Sequence, residues 1–381
     1  MKQLLLILTF YSLASVAQDS SMNIRKWEIN GYVKSMQSVS TTNNLNDLLS
    51  SNLLHNRINT KWKPNANFTL AAEFRTRVIW GDEVRLTPGY AAMLRNSNEY
   101  KNLSVTWLQQ EPIVVHTNTE RLWIDWQKNR WNIRAGRQRI NWGITTIWNP
   151  NDIFNTYNFL DFDYEERPGS DAEKVKYNVS VFSNLEVAYA AGNHLTKPVA
   201  AVKYDFNKTG YDIQLIAGIY QKRFTIGAGW AGSIRDAGFK GELQYYAGNA
   251  TQKAHFNAGL ETDYAFQNGW YLNTGILYNS EGLLSNINSF DSLNFKFTPL
   301  NLMPTKWNFV VTGSKQITPL FTCTTSLLYA PGTNLLLLLP SFNYNLATNL
   351  DADFVWQSFF AETSHFKALN HRAFLRLKLS F

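Results

Sequence analysis

Side chains alternate between apolar and polar along most of this 381-residue sequence. At the C-terminal end the apolar parity carries Leu375, Leu377, Leu379 and Phe381, and the other parity carries Arg372, Arg376, Lys378 and Ser380. Because successive side chains of a β-strand point to opposite faces, such segments predict strands with one apolar and one polar face. From Trp27 onward we count eighteen segments of this kind, each bounded by turn residues.

The connections between these segments alternate between short and long. The short connections are residues 63–67, 127–130, 182–184, 205–210, 234–238, 267–269, 316–319 and 347–349, and the long ones are residues 38–51, 82–118, 139–172 and 282–304. Short turns on one side and longer loops on the other are typical of outer-membrane barrels. The pattern therefore predicts an all-β, transmembrane, antiparallel up-and-down barrel of about 18 strands, within a range of 14 to 18, with both termini periplasmic.

Composition excludes a helical membrane protein. Aromatic residues make up 14% of the chain, with 13 Trp, yet the mean hydropathy is −0.28 and no run of 18 apolar residues exists. In a barrel, one side-chain parity faces lipid and the other faces water, so the mean hydropathy of the chain stays low despite the many aromatic residues. With Cys323 as the single cysteine, no disulfide framework is expected. The net charge of +7 does not suggest a nucleic-acid partner.

The N-terminus predicts an export signal. Lys2 is followed by an apolar run and then by the small residues Ser15, Val16 and Ala17. Cleavage there leaves residues 18–381 as one barrel domain, which we expect in the cell outer membrane in contact with lipid. A terminal strand ending in Phe381 resembles the signal that outer-membrane barrels present to their insertion machinery, so we expect that machinery as a partner.

The polar parity predicts which side chains line the lumen. Basic residues dominate on the early strands, and we expect them to form a basic wall: Arg57, Lys61, Arg75, Arg77, Arg121 and Arg134. Later strands place Glu261, Asp263, Asp351, Asp353 and Gln357 inward, so an acidic wall is expected opposite the basic one. Such segregation would set a field across the lumen. The alternative is that these charges pair locally and line a passive pore.

Residues 139–172 form the least strand-like part of the chain. Arg137, Arg139 and Arg167 can donate to the carboxylates of Asp152, Asp161, Asp163, Glu165 or Glu166. Trp142, Ile147, Trp148, Phe154, Phe159 and Phe162 are too apolar for open water. We therefore expect a constriction loop that folds into the lumen, the alternative being a solvated outer loop. The same carboxylates could bind Ca²⁺, although their spacing matches no EF-hand.

Three motifs in this region carry a resemblance: a GRQRINWG strand end, a WNPNDIFN turn, and an acidic stretch ending in Arg-Pro-Gly. They resemble Gram-negative outer-membrane porin-like barrels of the alginate-export type and related uncharacterised families. The resemblance implies a barrel of about 18 strands that passes a polar or anionic solute, such as a saccharide.

The function expected from this sequence is therefore an outer-membrane channel for diffusion or export of small polar solutes. An alternative is an adhesin or assembly factor that acts through its long outer loops. A barrel hydrolase is less favoured, because the six histidines lie in unrelated segments without a serine or cysteine signature. No catalytic residue, metal or cofactor is predicted.

Overall fold

The computed structural model describes residues 26–42, 47–95, 99–156, 163, 168–193, 197–286 and 297–381. The predicted export signal, residues 1–17, lies outside these ranges. The described residues contain nineteen strands, which are β1 (Trp27–Thr41), β2 (Leu49–Asn65), β3 (Phe68–Gly81), β4 (Ser104–Gln110), β5 (Ile113–Lys128), β6 (Trp131–Gln138), β7 (Ser170–Ser180), β8 (Ser183–Ala190), β9 (Val199–Lys208), β10 (Tyr211–Tyr220), β11 (Arg223–Ile234), β12 (Ala237–Tyr246), β13 (His255–Ala265), β14 (Trp270–Asn279), β15 (Trp307–Thr318), β16 (Phe321–Ala330), β17 (Leu335–Ala347), β18 (Leu350–Glu362) and β19 (Phe366–Ser380). Two short helices, α1 (Asp82–Leu86) and α2 (Tyr90–Met93), follow β3. No helix in the described residues is long and apolar enough to cross a membrane.

The sheet closes on itself through its first and last strands. β1 pairs antiparallel with β19, from Tyr32 opposite Ser380 to Thr41 opposite His371. Closure leaves no open sheet edge, which in hydrocarbon would expose unpaired N–H and C=O groups. β4 pairs with residues 113–118 of β5, and β6 pairs with residues 122–128 on the same edge of β5. β4 and β6 therefore share one position in the wall, which has 18 strands. The predicted closed antiparallel barrel is confirmed.

Apolar side chains of one parity point outward and polar ones point inward. Phe74, Leu122 and Ile124 are between 41% and 49% exposed on the predicted lipid face. On the opposite parity, Arg57 and Arg75 are buried at 1% and 8% exposure. A wide lumen that takes charged side chains is what a barrel of this strand number provides.

The two rims of the barrel differ in their connections. One rim, here the short-turn rim, carries two-residue turns at 66–67, 129–130, 181–182, 209–210, 235–236, 319–320 and 348–349, and one longer turn at 266–269. Thr209 and Gly210 have φ of 51° and 81°, as the tight hairpin turns that match strand twist require. The opposite, long-loop rim carries the longer connections and, between β10 and β11, a two-residue turn at 221–222. Trp27 and Phe381 lie at the short-turn rim.

Several predicted loop boundaries are wrong. β7 begins at Ser170, inside the predicted loop 139–172, and β9 continues to Lys208, inside the predicted turn 205–210. Two long connections differ most. Residues 38–51 contain the ends of β1 and β2, because pairing continues to Ser40 opposite Leu49. Residues 82–118 contain α1, α2, β4 and the first residues of β5. In both places the strands are longer than the segments with clear period-2 alternation. Backbone pairing does not need an apolar face where a hairpin extends beyond the apolar outer surface of the barrel.

Candidate functional site in the barrel lumen

The predicted basic residues lie on neighbouring strands of one side of the lumen. Arg57 is opposite Arg75 in the β2–β3 register, and His55 is opposite Arg77. Lys61 shares the inward parity of β2 closer to the short-turn rim. This proximity of like charges is unfavourable unless anionic groups lie between them.

Carboxylates do lie between the cations. Arg57 Nη2 is 2.5 Å from Glu73 Oε2, and Arg75 Nε is 2.8 Å from Glu120 Oε1. Arg121 is opposite Glu73 in the β3–β5 register. The sequence-based description of this wall did not include Glu120, although that side chain is 4% exposed among the arginines.

The remaining residue of the predicted wall, Arg134 on β6, is paired in the same way. Its Nε lies 2.7 Å from Asp125 Oδ1, and its guanidinium stacks 4.1 Å from the centre of the Trp123 ring. The early strands therefore carry an alternation of cations and carboxylates rather than cations alone.

The expected acidic wall is only partly opposite the basic one. Asp353 on β18 lies 2.8 Å from Arg376 Nε on β19, and β19 pairs with β1. Closure thus brings Asp351 and Asp353 beside the basic strands, which corrects the expectation that they face them. Glu261 and Asp263 on β13 do lie halfway around the 18-stranded wall from β3.

Asp163 reaches the first strands of the barrel. Its Oδ1 is 2.7 Å from Lys34 Nζ on β1 and 3.5 Å from Arg376 Nη1 on β19, and its Oδ2 is 4.0 Å from His55 Nδ1. Burial alone would raise the pKa of Asp163, but the nearby His55 ring and the charge of Lys34 outweigh it and lower the pKa to about 2. The sequence predicted pairing with arginines of the same loop instead. Lys34, fully buried on the inward parity of β1, was missed.

Arg137 also differs from its predicted pairing. Its guanidinium contacts Asp171 at 2.8 Å and Glu99 at 2.6 Å, and it is 1% exposed. It joins the end of β6 to β7 and to the segment before β4, so it fixes where the loop leaves the wall. Asp152 is buried at 1% and accepts from the backbone N–H of Trp142 at 3.4 Å.

The other predicted loop residues have different positions. Arg139 is half-buried just after β6. Phe159, Asp161, Phe162, Glu165, Glu166 and Arg167 lie outside the described residues, and the predicted burial and pairing of these side chains stay predictions. In the described part of the chain no group of three metal-ligating side chains converges.

Residues 140–155 contact inward side chains of strands far around the barrel. The carboxylate of Glu242 on β12, fully buried, accepts backbone hydrogen bonds from Thr145 and Asn151, each at 2.7 Å. Glu261 on β13 accepts from the backbone of Thr146 at 2.8 Å. A carboxylate has lone pairs for several such donors, and these charge-assisted bonds are stronger than neutral ones.

Trp142 is held by a second set of contacts. Its indole Nε1 donates to Glu186 on β8 at 2.5 Å, and its carbonyl accepts from Gln214 on β10 at 2.7 Å. The ring packs edge-on against Phe154 at 4.9 Å between centroids. Trp142 is thereby almost completely buried, at 1% exposure.

Glycines on the inward parity of β11 leave space for the segment. A Cβ at Gly227 would lie 2.1 Å from Gln244 Oε1 and 2.6 Å from Asn151 Nδ2. A Cβ at Gly229 would lie 2.8 Å from Ile144 Cδ1. These close approaches require residues without a side chain. The Gly-Ala-Gly spacing is the sequence signal that could have located this contact.

Two other segments of the long-loop rim also pack on the inner wall. Val84 of α1 and Ala91 of α2 form a buried cluster with Ile79 and Val114 of the wall. On the other side, residues Leu302 and Met303 pack with inward side chains of β14–β18 and with Trp148. Only the segment at 139–172 was expected to behave in this way.

Between these segments a cavity of about 770 Å³ remains. It is lined on the β3 side by Arg75 and Arg77 and on the β18–β19 side by Phe359, Arg372 and Phe374. A closed 18-stranded barrel, apolar outside and charged inside, defines the porin-type class of fold.

Comparison with solved structures supports this class at the level of fold. Pseudomonas aeruginosa OccK9 (OpdG) gives a TM-score of 0.64 at 9% identity, covering 94% of this chain and 99% of that one. Acinetobacter baumannii OccAB4 gives 0.58 at 8% identity, covering 93% and 98%. Pseudomonas aeruginosa OccK11 (OpdR) gives 0.57 at 9% identity, covering 93% and 96%. No protein-family model matches the sequence, and no curated protein matches it either.

Proposed function

We propose that this protein is a non-enzymatic channel of the Gram-negative outer membrane that passes small polar solutes and prefers anions. The observation that carries the proposal is a closed barrel whose outer face is apolar and whose lumen is lined by charged side chains. The fold shared with outer-membrane porins supports it. Such a wall inserts in lipid while the lumen holds water.

The proposed orientation places the short-turn rim, and with it both chain ends, on the periplasmic side. Barrels of this class have short periplasmic turns and longer extracellular loops. Solutes would then meet the long-loop rim first. Phe381, whose backbone exchanges two 3.0 Å hydrogen bonds with Gly31, would serve the insertion machinery before the barrel closes.

Anion preference follows from the local charge count. The cations of this cluster, counted among the described residues only, are Lys34, Arg57, Arg75, Arg77, Arg121 and Arg376, and the carboxylates are Glu73, Glu120, Asp163 and Asp353. Formal charges of +6 and −4 leave +2 within the low-dielectric wall. An excess of this kind focuses an attractive potential for anions.

The proposed constriction is formed by the described residues that precede β7 in the predicted segment 139–172, which are residues 139–156, 163 and 168–169. Hydrogen bonds to Glu242 and Glu261 hold its first half, and ion pairs of Asp163 with Lys34 and Arg376 hold a point beyond it. Narrowing of the lumen at this level would limit the size of the solutes that pass and bring them next to the arginines.

Planar-bilayer recording of the purified protein tests the channel. Discrete conductance steps in KCl are expected, with a reversal potential across a salt gradient that favours chloride. Liposome swelling with neutral sugars and with small organic anions then separates the two solute classes. A barrel that inserts but gives no conductance steps would contradict the proposal. Faster swelling with sugars than with anions of similar size would show that the channel prefers saccharides to anions.

A further inference from the structure

The outer face of β1 and β2 carries amide side chains among the apolar ones. Asn52 and Asn56 share the outward parity of β2 with Leu54 and Ile58, which are 41% and 40% exposed. Gln37 takes the outward position opposite Asn52 on β1. In the described strands β8 to β19, no outward position holds Asn or Gln. The amides therefore mark one sector of the outer surface.

This sector lies between two aromatic rows of the wall. Trp80 of β3 is opposite Asn52, and Trp62 of β2 is opposite Trp27, with the two indole rings stacked 5.7 Å apart. Barrels of this class carry aromatic girdles at both edges of the apolar band. Asn56 lies between Asn52 and Trp62 along β2. In a barrel that stands alone, its amide would face the lipid tails.

The amides are not satisfied within their own barrel. Gln37 Nε2 donates to Ser35 Oγ at 3.0 Å, and this bond uses one of the two N–H groups of that amide. In the described part of the chain, neither Asn52 nor Asn56 makes a side-chain hydrogen bond. An amide left without a partner in an apolar medium is strongly unfavourable. A polar partner outside the barrel would remove this cost.

The amide face is complementary to itself and not to the surfaces beside it. On the β19 side the outward residues are Leu375, Leu377 and Leu379, and beyond β3 they are Leu122 and Ile124 of β5. A head-to-tail contact with either surface would leave the amides unpaired. Each Asn or Gln amide both donates and accepts, which is what the self-complementary interface of a twofold dimer requires.

We propose that two copies of this barrel form a dimer in the membrane through the outer faces of β1 and β2. The twofold axis runs along the membrane normal, so both copies keep the same orientation and each keeps its own lumen. Gln37, Asn52 and Asn56 of one copy exchange side-chain hydrogen bonds with the same residues of the other, while Leu54 packs between them. This inference goes beyond the proposed channel, since association is measured without conduction.

Cross-linking of the full-length protein in liposomes tests the contact. Ser35→Cys, made in a Cys323→Ser background, places one cysteine within the face, and a short bismaleimide then joins two copies when position 35 lies near its own counterpart. A covalent dimer is expected at a low ratio of protein to lipid. Thr262→Cys on β13, far around the wall, is the matched control and should stay monomeric. Equal dimer yield from both cysteines, or none from Ser35→Cys, would overturn the proposal.

Variants then assign the association to the amides. Förster transfer between donor-labelled and acceptor-labelled copies in liposomes of decreasing protein density gives the dissociation constant of the dimer. Asn52→Leu with Asn56→Leu should weaken association at least about tenfold, because side-chain hydrogen bonds within the membrane are lost. Thr262→Val with Thr274→Val, whose hydroxyls bond each other at 3.0 Å, should leave it unchanged.

Both double variants should remain heat-modifiable, which shows that the barrel is folded. Undiminished association of the folded Asn52→Leu, Asn56→Leu variant would refute the dimer. Intact association without conductance steps would instead contradict only the proposed channel.

Discussion

Glu242 on β12 and Asn151 in the segment after β6 are joined by a 2.7 Å hydrogen bond from the Asn151 backbone N–H to the carboxylate. The same carboxylate accepts from Thr145 N and from Thr145 Oγ1 at 2.9 Å. One fully buried side chain thus satisfies the polar backbone of a turn that has no strand partner. The position of the segment depends on this acceptor.

Replacing Glu242 with Ala is therefore expected to release residues 144–151 from the wall. Each buried N–H that loses its acceptor costs about 1–3 kcal/mol. Single-channel conductance should rise and become noisier while the barrel stays heat-modifiable on gels. Glu173→Ala, at an exposed glutamate on β7, is the control. Unchanged conductance would show that this segment does not narrow the pore.

Gly227→Ala should have a similar effect for a steric reason. The added Cβ would lie 2.1 Å from Gln244 Oε1, so Gln244 and the neighbouring Asn151 must shift. We expect increased protease cleavage within residues 139–156 in the folded barrel. Gly313→Ala, whose Cβ would have its nearest neighbour at 3.8 Å, is the control. Equal protection of both variants would mean that the contact at Gly227 is not needed.

The Asp163 pairing predicts a pH window. The pKa of Asp163 is lowered from 3.8 to about 2, so its stabilisation is complete above about pH 4 and is lost as the pH falls through 2. The shift corresponds to about 2 kcal/mol of stabilisation of the ionised Asp163 side chain by its partners. Asp163→Asn should therefore give at neutral pH the conductance that the wild type reaches only near pH 2. A wild-type conductance that changes between pH 7 and 5 would point to another group.

Selectivity should depend on the arginines of β3. In Arg75→Glu with Arg77→Glu the local charge changes by −4, so the reversal potential should shift toward cations, and more so at low salt, where screening is weak. Arg85→Glu, on an exposed side chain at the rim, should shift it less. A wild type already selective for cations, or a double variant that behaves like it, would mean that these arginines only balance Glu120 and its neighbours.

Assembly should depend on the terminal residue. Phe381 is 56% exposed and its backbone pairs with Gly31 at the closing seam. Phe381→Asp is expected to lower the amount of heat-modifiable barrel in the membrane far more than Leu48→Asp in the first loop. Normal levels of folded Phe381→Asp would contradict a role for this residue in assembly.

The fold was predictable because its determinants are local. Period-2 alternation places Phe74 and Leu122 outward and Arg75 and Arg121 inward without knowledge of any neighbour, and alternating connection lengths give the up-and-down order. Closure then follows from the cost of an unpaired edge. The strand count was correct for these reasons, and the errors fall at the long-loop rim, where strands leave the apolar band.

The partners of the lumenal charges were decided only by the tertiary structure. Alternation shows that Asp163, Arg137 and Asp353 are polar positions, but not that Asp163 meets Lys34 more than a hundred residues away or that Arg137 meets Asp171 and Glu99. The seam between β1 and β19 brings the last acidic strand beside the first basic ones. The sequence by itself determined which face most strand residues occupy, because that depends on their own strand. Glu120, at a β-bulge beside Arg121, is an exception that alternation did not show. Which charges meet depends on how the wall closes and how three loop segments fold back inside it, and no local pattern encodes those distances.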